Sequence, residues 1–273
     1  MEITQAILFL AGILIGTLST MLGIGGGVFS VPLLYYSGKG ILPEDLLGIM
    51  SISSSLFMAM LFSASASLKN AGTRSIRYGH ILVIIGASVP GSWFASQFTS
   101  SIASKQVMFY FGLFLLINAF WGAIRLAKDN RAPIKKKSEM AWSYAMLLSV
   151  VTGLIVGFLS GLAGIGGGII MVPVLLSIFA YEPREAVNTS SFGIIFITLA
   201  GSLNYYIQSK SSALQMPEPS VGFMFLPLVW PLAAGGVAGG IIGAIATTKL
   251  KPKYIKLALI VLQLCIALKV LVE

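Results

Sequence analysis

Gly23-Ile24-Gly25-Gly26-Gly27 and Gly164-Ile165-Gly166-Gly167-Gly168 are the residues of this chain best placed to do chemistry, and the chemistry is that of the backbone. Three adjacent glycines break a helix rather than pack it. A helix that starts just after such a break has several N–H groups without intrahelical partners, and their partial positive charge suits an anion. With no Cβ in the way, a ligand can approach the main chain and φ > 0 costs little. The candidate donors are the N–H groups of residues 24 to 28 and 165 to 169. Pro32 and Pro173, inside or near the first turns of the following helices, help to fix the break.

Hydroxyls accompany both clusters. Ser19 and Ser160 precede them at the same spacing. A second duplicated element follows each: Pro183-Arg184-Glu185-Ala186-Val187-Asn188-Thr189-Ser190-Ser191 in one half, and the stretch from Pro43 to Ser55 in the other, in a register open by a few residues. Near the start of an apolar helix such side chains either cap the helix or donate to a bound oxyanion. The candidate binding set is therefore Ser19, Gly23, Gly25, Gly26, Gly27, Ser51, Ser53, Ser160, Gly164, Gly166, Gly167, Gly168, Asn188, Thr189 and Ser190.

Other chemistries find no material. Apart from Lys269, no Asp, Glu, Lys, Arg or His lies well inside an apolar segment, which argues against a carboxylate proton relay. Charge selectivity would then rest on backbone dipoles, hydroxyls and amides such as Asn118, Asn188 and Asn204. The single Cys265 and one histidine exclude an intrachain disulfide and a Cys/His metal cluster. The run Ser63-Ala64-Ser65-Ala66-Ser67 has no acid or base beside it, so neither catalytic residues nor a cofactor are expected. His80, next to Arg77 and Tyr78, reads as interfacial, as do the four tryptophans.

The elements that must position these residues are membrane segments. Hydrophobic residues make up 56% of the 273-residue chain and charged ones 10%, against about 25% charged in soluble domains. Apolar segments cover residues 3 to 36, 46 to 68, 80 to 98, 106 to 127, 140 to 180, 186 to 207, 221 to 247 and 254 to 272. The N-terminus lacks a basic n-region, so the first apolar stretch is expected to remain in the mature protein. Gly16, Leu18, Ser19, the glycine cluster and Val31-Pro32 recur as Gly157, Leu159, Ser160, the second cluster and Val172-Pro173, all at one offset of 141. The expected organisation is a first transmembrane repeat over 1–127, a basic linker over 128–138 and a second repeat over 139–273. Gly12/Gly16, Gly153/Gly157 and the glycines from 235 to 243 read as helix-packing positions.

Basic residues orient the segments. Lys69, Arg74 and Arg77, the linker, and Lys249, Lys251, Lys253 and Lys256 mark cytoplasmic connections. The net charge of +9 is explained by these clusters, and nucleic acid is not an expected partner. The pattern reverses between the halves, and inversion needs an odd number of crossings per half. Each long first segment is therefore expected to turn back at its glycine cluster as a broken or re-entrant hairpin, followed by three spanning helices. Eight plain spans with both termini cytoplasmic is the competing arrangement. Small-residue faces would permit a homodimer.

The duplicated G-x-x-S-x-x-x-GIGGG-x-x-x-VP signature, with a following P-x-x-A-x-x-TS element, resembles the TauE/SafE family of sulfite exporters and toluene-sulfonate-uptake permeases. The resemblance covers essentially the whole chain. In the first half Leu46 and Ile49-Met50 stand where the second has Ala186 and Thr189-Ser190. It implies an all-α polytopic protein of the prokaryotic cell membrane that carries a small anion such as sulfite, thiosulfate, or a sulfonate like sulfoacetate, without naming which. A channel built around the same glycine constriction is the alternative, distinguished by current that does not saturate.

Overall fold

The computed structural model describes residues 2–70, 75–100, 102, 104–129, 142–212, 215–246 and 252–272. Arg74, the linker from Asn130 onward, Lys249 and Lys251 lie outside the described residues, as do the side chains of Lys253 and Lys256; the linker's first two residues close α5.

Apolar composition and the glycine breaks divide the described chain into ten helices. In the first half these are α1 (Glu2–Leu22), α2 (Gly27–Gly38), α3 (Glu44–Asn70), α4 (Tyr78–Ser100) and α5 (Ser104–Asp129). In the second they are α6 (Trp142–Ala163), α7 (Gly168–Ser177), α8 (Pro183–Ser211), α9 (Leu226–Ala246) and α10 (Pro252–Val272). Seven of them are long and apolar enough to cross a bilayer. The protein is all-α and polytopic, with one small addition that the sequence did not signal: Ser220–Val221 and Met224–Phe225 pair as a two-stranded antiparallel ribbon before α9.

Glycine stripes decide which helices touch. A Cβ at Gly12 or Gly16 of α1 would strike the carbonyls of Leu232 and Gly236 in α9, and one at Gly243 would strike Thr17 and Thr20. The two helices run parallel in intimate backbone contact, which small residues permit and which favours membrane packing. The other half repeats the arrangement with roles exchanged: Gly153, Gly157 and Gly161 of α6 abut Ile84, Ser88 and Ser92 of α4, again in parallel.

Two further pairs run the other way. Asn70 at the end of α3 donates to Asn188 near the start of α8 over 3.1 Å, while Leu56 meets Gly201, so α3 and α8 are antiparallel. Gly112 and Gly122 of α5 meet Val270 and Ile260 of α10 in the same antiparallel sense. Burial concentrates on α3, of whose membrane-length window 83% is buried, against 33% for α5. The α3/α8 pair is the hub, and α5 presents an apolar outer face, with Ile117 and Phe120 exposed, that fits lipid.

Candidate functional site

Each glycine cluster lies between a full-length helix and a short one. Gly23, Gly25 and Gly26 have φ of 67°, 83° and 86°; Gly164, Gly166 and Gly167 have 68°, 80° and 79°. A side chain at any of these six would be strained, so only glycine can repeat this double left-handed turn. After it, Gly26 and Gly167 serve as N-caps without side-chain capping bonds, and their carbonyls accept from Phe29 and Ser30, and from Ile170 and Met171. The first N–H groups of α2 and α7 therefore precede the helical ladder. With 12 and 10 residues, α2 and α7 are about 18 and 15 Å long, about half a hydrocarbon core, as a re-entrant limb would be. Pro32 and Pro173 sit one turn further in than the first turn, at matching places inside these helices.

The two breaks touch. A Cβ on Gly27 would collide with the carbonyl of Gly164 and the Cα of Ile165; one on Gly168 would collide with the carbonyl of Gly23 and the Cα of Ile24. Each break is also held by the other half. Ser190 of α8 donates to the Gly23 carbonyl over 2.8 Å, and Ser55 of α3 donates to the Gly164 carbonyl over 2.8 Å. Both are buried bonds that satisfy carbonyls left over where a helix ends.

Ser19 is fully buried, its hydroxyl has no partner, and a Cβ on Gly26 would lie 3.0 Å from its Oγ. Ser160, its counterpart, is 1% exposed and equally unpartnered. Ser30, in the first turn of α2, is a third buried hydroxyl without a partner. A buried hydroxyl left unpaired costs about 1–3 kcal/mol. Ser19 and Ser30 thus flank the start of α2, whose first N–H groups have no intrahelical partner, whereas the Ile24 N–H, one of the donors expected from sequence, is already taken by the Ser19 carbonyl over 3.0 Å.

The remaining candidates divide. Ser51 bonds back to Leu47 of its own helix, and Ser53 is buried in α3. Asn188 and Thr189 engage the connection before α4 instead of a break: Asn188 Nδ2 donates to Ser75 Oγ over 2.7 Å, and the Arg77 N–H donates to Thr189 Oγ1 over 3.1 Å. Beside them the Arg77 guanidinium donates twice to Glu185, at 3.0 and 2.7 Å, and this hydrogen bond holds its pKa above the ordinary arginine value. Tyr181, stacked 5.5 Å from that guanidinium, has its phenol pKa raised chiefly by burial. Asn70, Ser75 and Arg77 thus form, with the start of α8, a polar clasp over one end of the α3/α8 pair.

Ser55 and Ser30 were not in the set read from sequence. The proline-anchored register aligns Ser190 with the region of Met50 and Ser51, whereas the bonded pair places it opposite Ser55, the twelfth residue of α3 against the eighth of α8. One extra helical turn at the start of α3 accounts for the slip. Among the described residues no group of three His, Cys, Asp or Glu could hold a metal ion.

A profile of the family described as sulfite exporter TauE/SafE matches residues 8–270. The chain belongs to the TauE/SafE family. It is 31% identical to a probable membrane transporter protein of Haemophilus influenzae over 90% of both chains. It is 26% identical to the probable membrane transporter protein YunE of Bacillus subtilis, over 98% of this chain and 97% of that one, and 27% identical to a counterpart in Methanocaldococcus jannaschii. No solved structure matches. As a TauE/SafE member with seven long apolar helices and relatives in bacteria and an archaeon, the protein is a multi-pass transporter of the prokaryotic cell membrane. Its glycine clusters and the serines beside them fall inside the family match.

Proposed function

We propose that this transporter carries a small sulfur-containing or organic anion, with sulfite, thiosulfate and sulfonates such as sulfoacetate as the leading candidates, and that the anion is bound where the two glycine breaks meet. The observation that carries the reading is Ser19 beside Gly26: a buried, unpartnered hydroxyl at a helix start whose own N–H groups lack intrahelical partners. Backbone N–H groups and hydroxyls bind an oxyanion without adding a fixed charge, which lets the anion leave as well as enter.

Ser55 lies about 16 Å along α3, itself about 40 Å long, so the breaks are set well within the bundle. The halves act as inverted repeats of five segments each. Three things support this: the single 141-residue offset, the matched φ values, and the antiparallel courses of α3 and α8 and of α5 and α10. Alternating access is then the rocking of one repeat against the other about the shared site. The clasp of Arg77, Glu185, Asn188 and Thr189 closes one mouth; it opens when the anion is released on that side.

The test is thermal stabilisation of the purified protein by a panel of sulfur oxyanions, sulfonates and small carboxylates, repeated in Ser19→Ala, then flux of the best anion into liposomes. A selective shift lost in Ser19→Ala, together with saturable flux, supports the carrier. No shift by any anion, or an equal shift in both proteins, refutes the site.

A further inference from the structure

The two glycine breaks have matching backbones but different linings. At the shared offset of 141, Ser30 of α2 corresponds to Met171 of α7. Each stands one turn beyond its N-cap, Gly26 or Gly167, so its Cα–Cβ bond tilts back toward the break. In the first half the surroundings of the N-cap are polar. A Cβ on Gly26 would lie 3.0 Å from Ser19 Oγ, and Ser19 and Ser30 are both fully buried with unpartnered hydroxyls. The ring of Phe62 closes another side, 2.8 Å from the same Cβ position.

In the second half the surroundings are apolar. The three atoms nearest a Cβ on Gly167 all belong to Val156, and Met171, fully buried, takes the place of Ser30. Thr198 turns its methyl to this break: its Cγ2 would lie 3.2 Å from a Cβ on Gly166, while its hydroxyl donates to the Ile194 carbonyl over 2.6 Å. Ser160 keeps a buried, unpartnered hydroxyl, but it is not among the atoms that meet Gly167. An anion that enters a site gives up its water, and an apolar wall returns no hydrogen bonds in exchange. Two helix starts with the same partial charge therefore differ in what they offer: the start of α2 has hydroxyls beside it, and the start of α7 has Val156 and Met171.

We propose that the transported anion binds at the first break alone, one per chain, with Ser30 as a ligand beside Ser19 and the first N–H groups of α2, and that the matching start of α7 holds none. This rests on the carrier reading above and narrows it from two equivalent breaks to one. Sulfite and a sulfonate head each carry three oxygens, enough to meet the two hydroxyls and the helix start together. The duplication then supplies the frame twice and the binding chemistry once: α7 repeats the fold of α2 and braces it, while Ser30, which the repeat does not preserve, completes the site.

Sulfite, thiosulfate and sulfoacetate are each titrated against the purified full-length protein, with calorimetry for the stoichiometry and thermal stabilisation for the affinity, and the titrations are repeated in Ser30→Ala and Ser160→Ala. The expected stoichiometry is one anion per chain. In Ser30→Ala the affinity should fall tenfold or more while the unfolding midpoint without anion holds, because removing an unpartnered hydroxyl costs the fold nothing. The loss in Ser160→Ala should be smaller. Two anions per chain, a loss below tenfold in Ser30→Ala, or a loss in Ser160→Ala as large as that in Ser30→Ala overturns the single asymmetric site and leaves the carrier reading standing. A fall in the anion-free midpoint of Ser30→Ala also overturns it, since the hydroxyl would then serve the fold. Binding of none of the three anions removes the carrier site and this inference together.

Discussion

The hydroxyl of Ser190 donates to the carbonyl of Gly23 over 2.8 Å, although the two residues are 167 positions apart. Ser55 does the same for Gly164, so each half of the chain completes the backbone of the other. Replacing either serine with alanine leaves a buried carbonyl unsatisfied. Each substitution is expected to lower stability by about 1–3 kcal/mol, seen as a lower midpoint in detergent thermal unfolding. A variant with an unchanged midpoint would show that the bond contributes nothing.

Ser19→Ala is expected to behave in the opposite way. Its hydroxyl has no partner, so removing it spares a desolvation cost, and stability should hold or rise slightly. Anion-dependent stabilisation, in contrast, should weaken about tenfold, the worth of one hydrogen bond at about 1.4 kcal/mol. Retention of full anion response would remove Ser19 from the site.

Gly26→Val and Gly167→Val should abolish transport while the protein still reaches the membrane. Both positions have φ near 80°, and a Cβ would press on Phe62 at Gly26 and on Val156 at Gly167. Membrane fractionation with a flux assay checks both halves of the claim; wild-type flux in both variants would sink the backbone site.

Arg77→Gln breaks the ion pair with Glu185 at a half-exposed position, where such pairs contribute about 0–1 kcal/mol. The midpoint should therefore move little. If the clasp closes one mouth of the pathway, labelling of a cysteine introduced at Ser75 should speed up severalfold in the variant. An unchanged labelling rate would deny it a gating role.

Gln263 of α10 is fully buried, and neither atom of its amide has a partner. Gln263→Leu should raise the unfolding midpoint, since an apolar side chain of similar size ends the cost of the unpaired amide. A lower midpoint would mean that the amide serves a contact formed in another state of the transporter.

Much of the architecture could be read from residue types alone. The paired GIGGG clusters announced the break after α1 and after α6, because three glycines in an apolar run have no other stable use, and the short limbs followed from the length between each cluster and the next polar connection. The serines were harder. Asn188 and Thr189 looked like ligands because they share a motif with Ser190, yet a helix turns 100° per residue, so neighbours in sequence face different partners: Ser190 meets the break while Asn188 meets Asn70 and Ser75, and Thr189 meets the N–H of Arg77. Ser55 escaped because α3 begins one turn earlier than α8, a difference that no motif records.

The reciprocal bonds of Ser55 and Ser190 also bear on how such a chain could arise. Neither half can cap its own break, because the hydroxyl it needs sits on a helix of the other half, running in the opposite direction. If the halves are inverted repeats, as proposed above, a half-length ancestor would have needed a second copy of itself inserted upside down in the same bilayer. Fusing the two copies through a basic linker would have replaced a chance meeting of opposite orientations with a covalent guarantee of one of each.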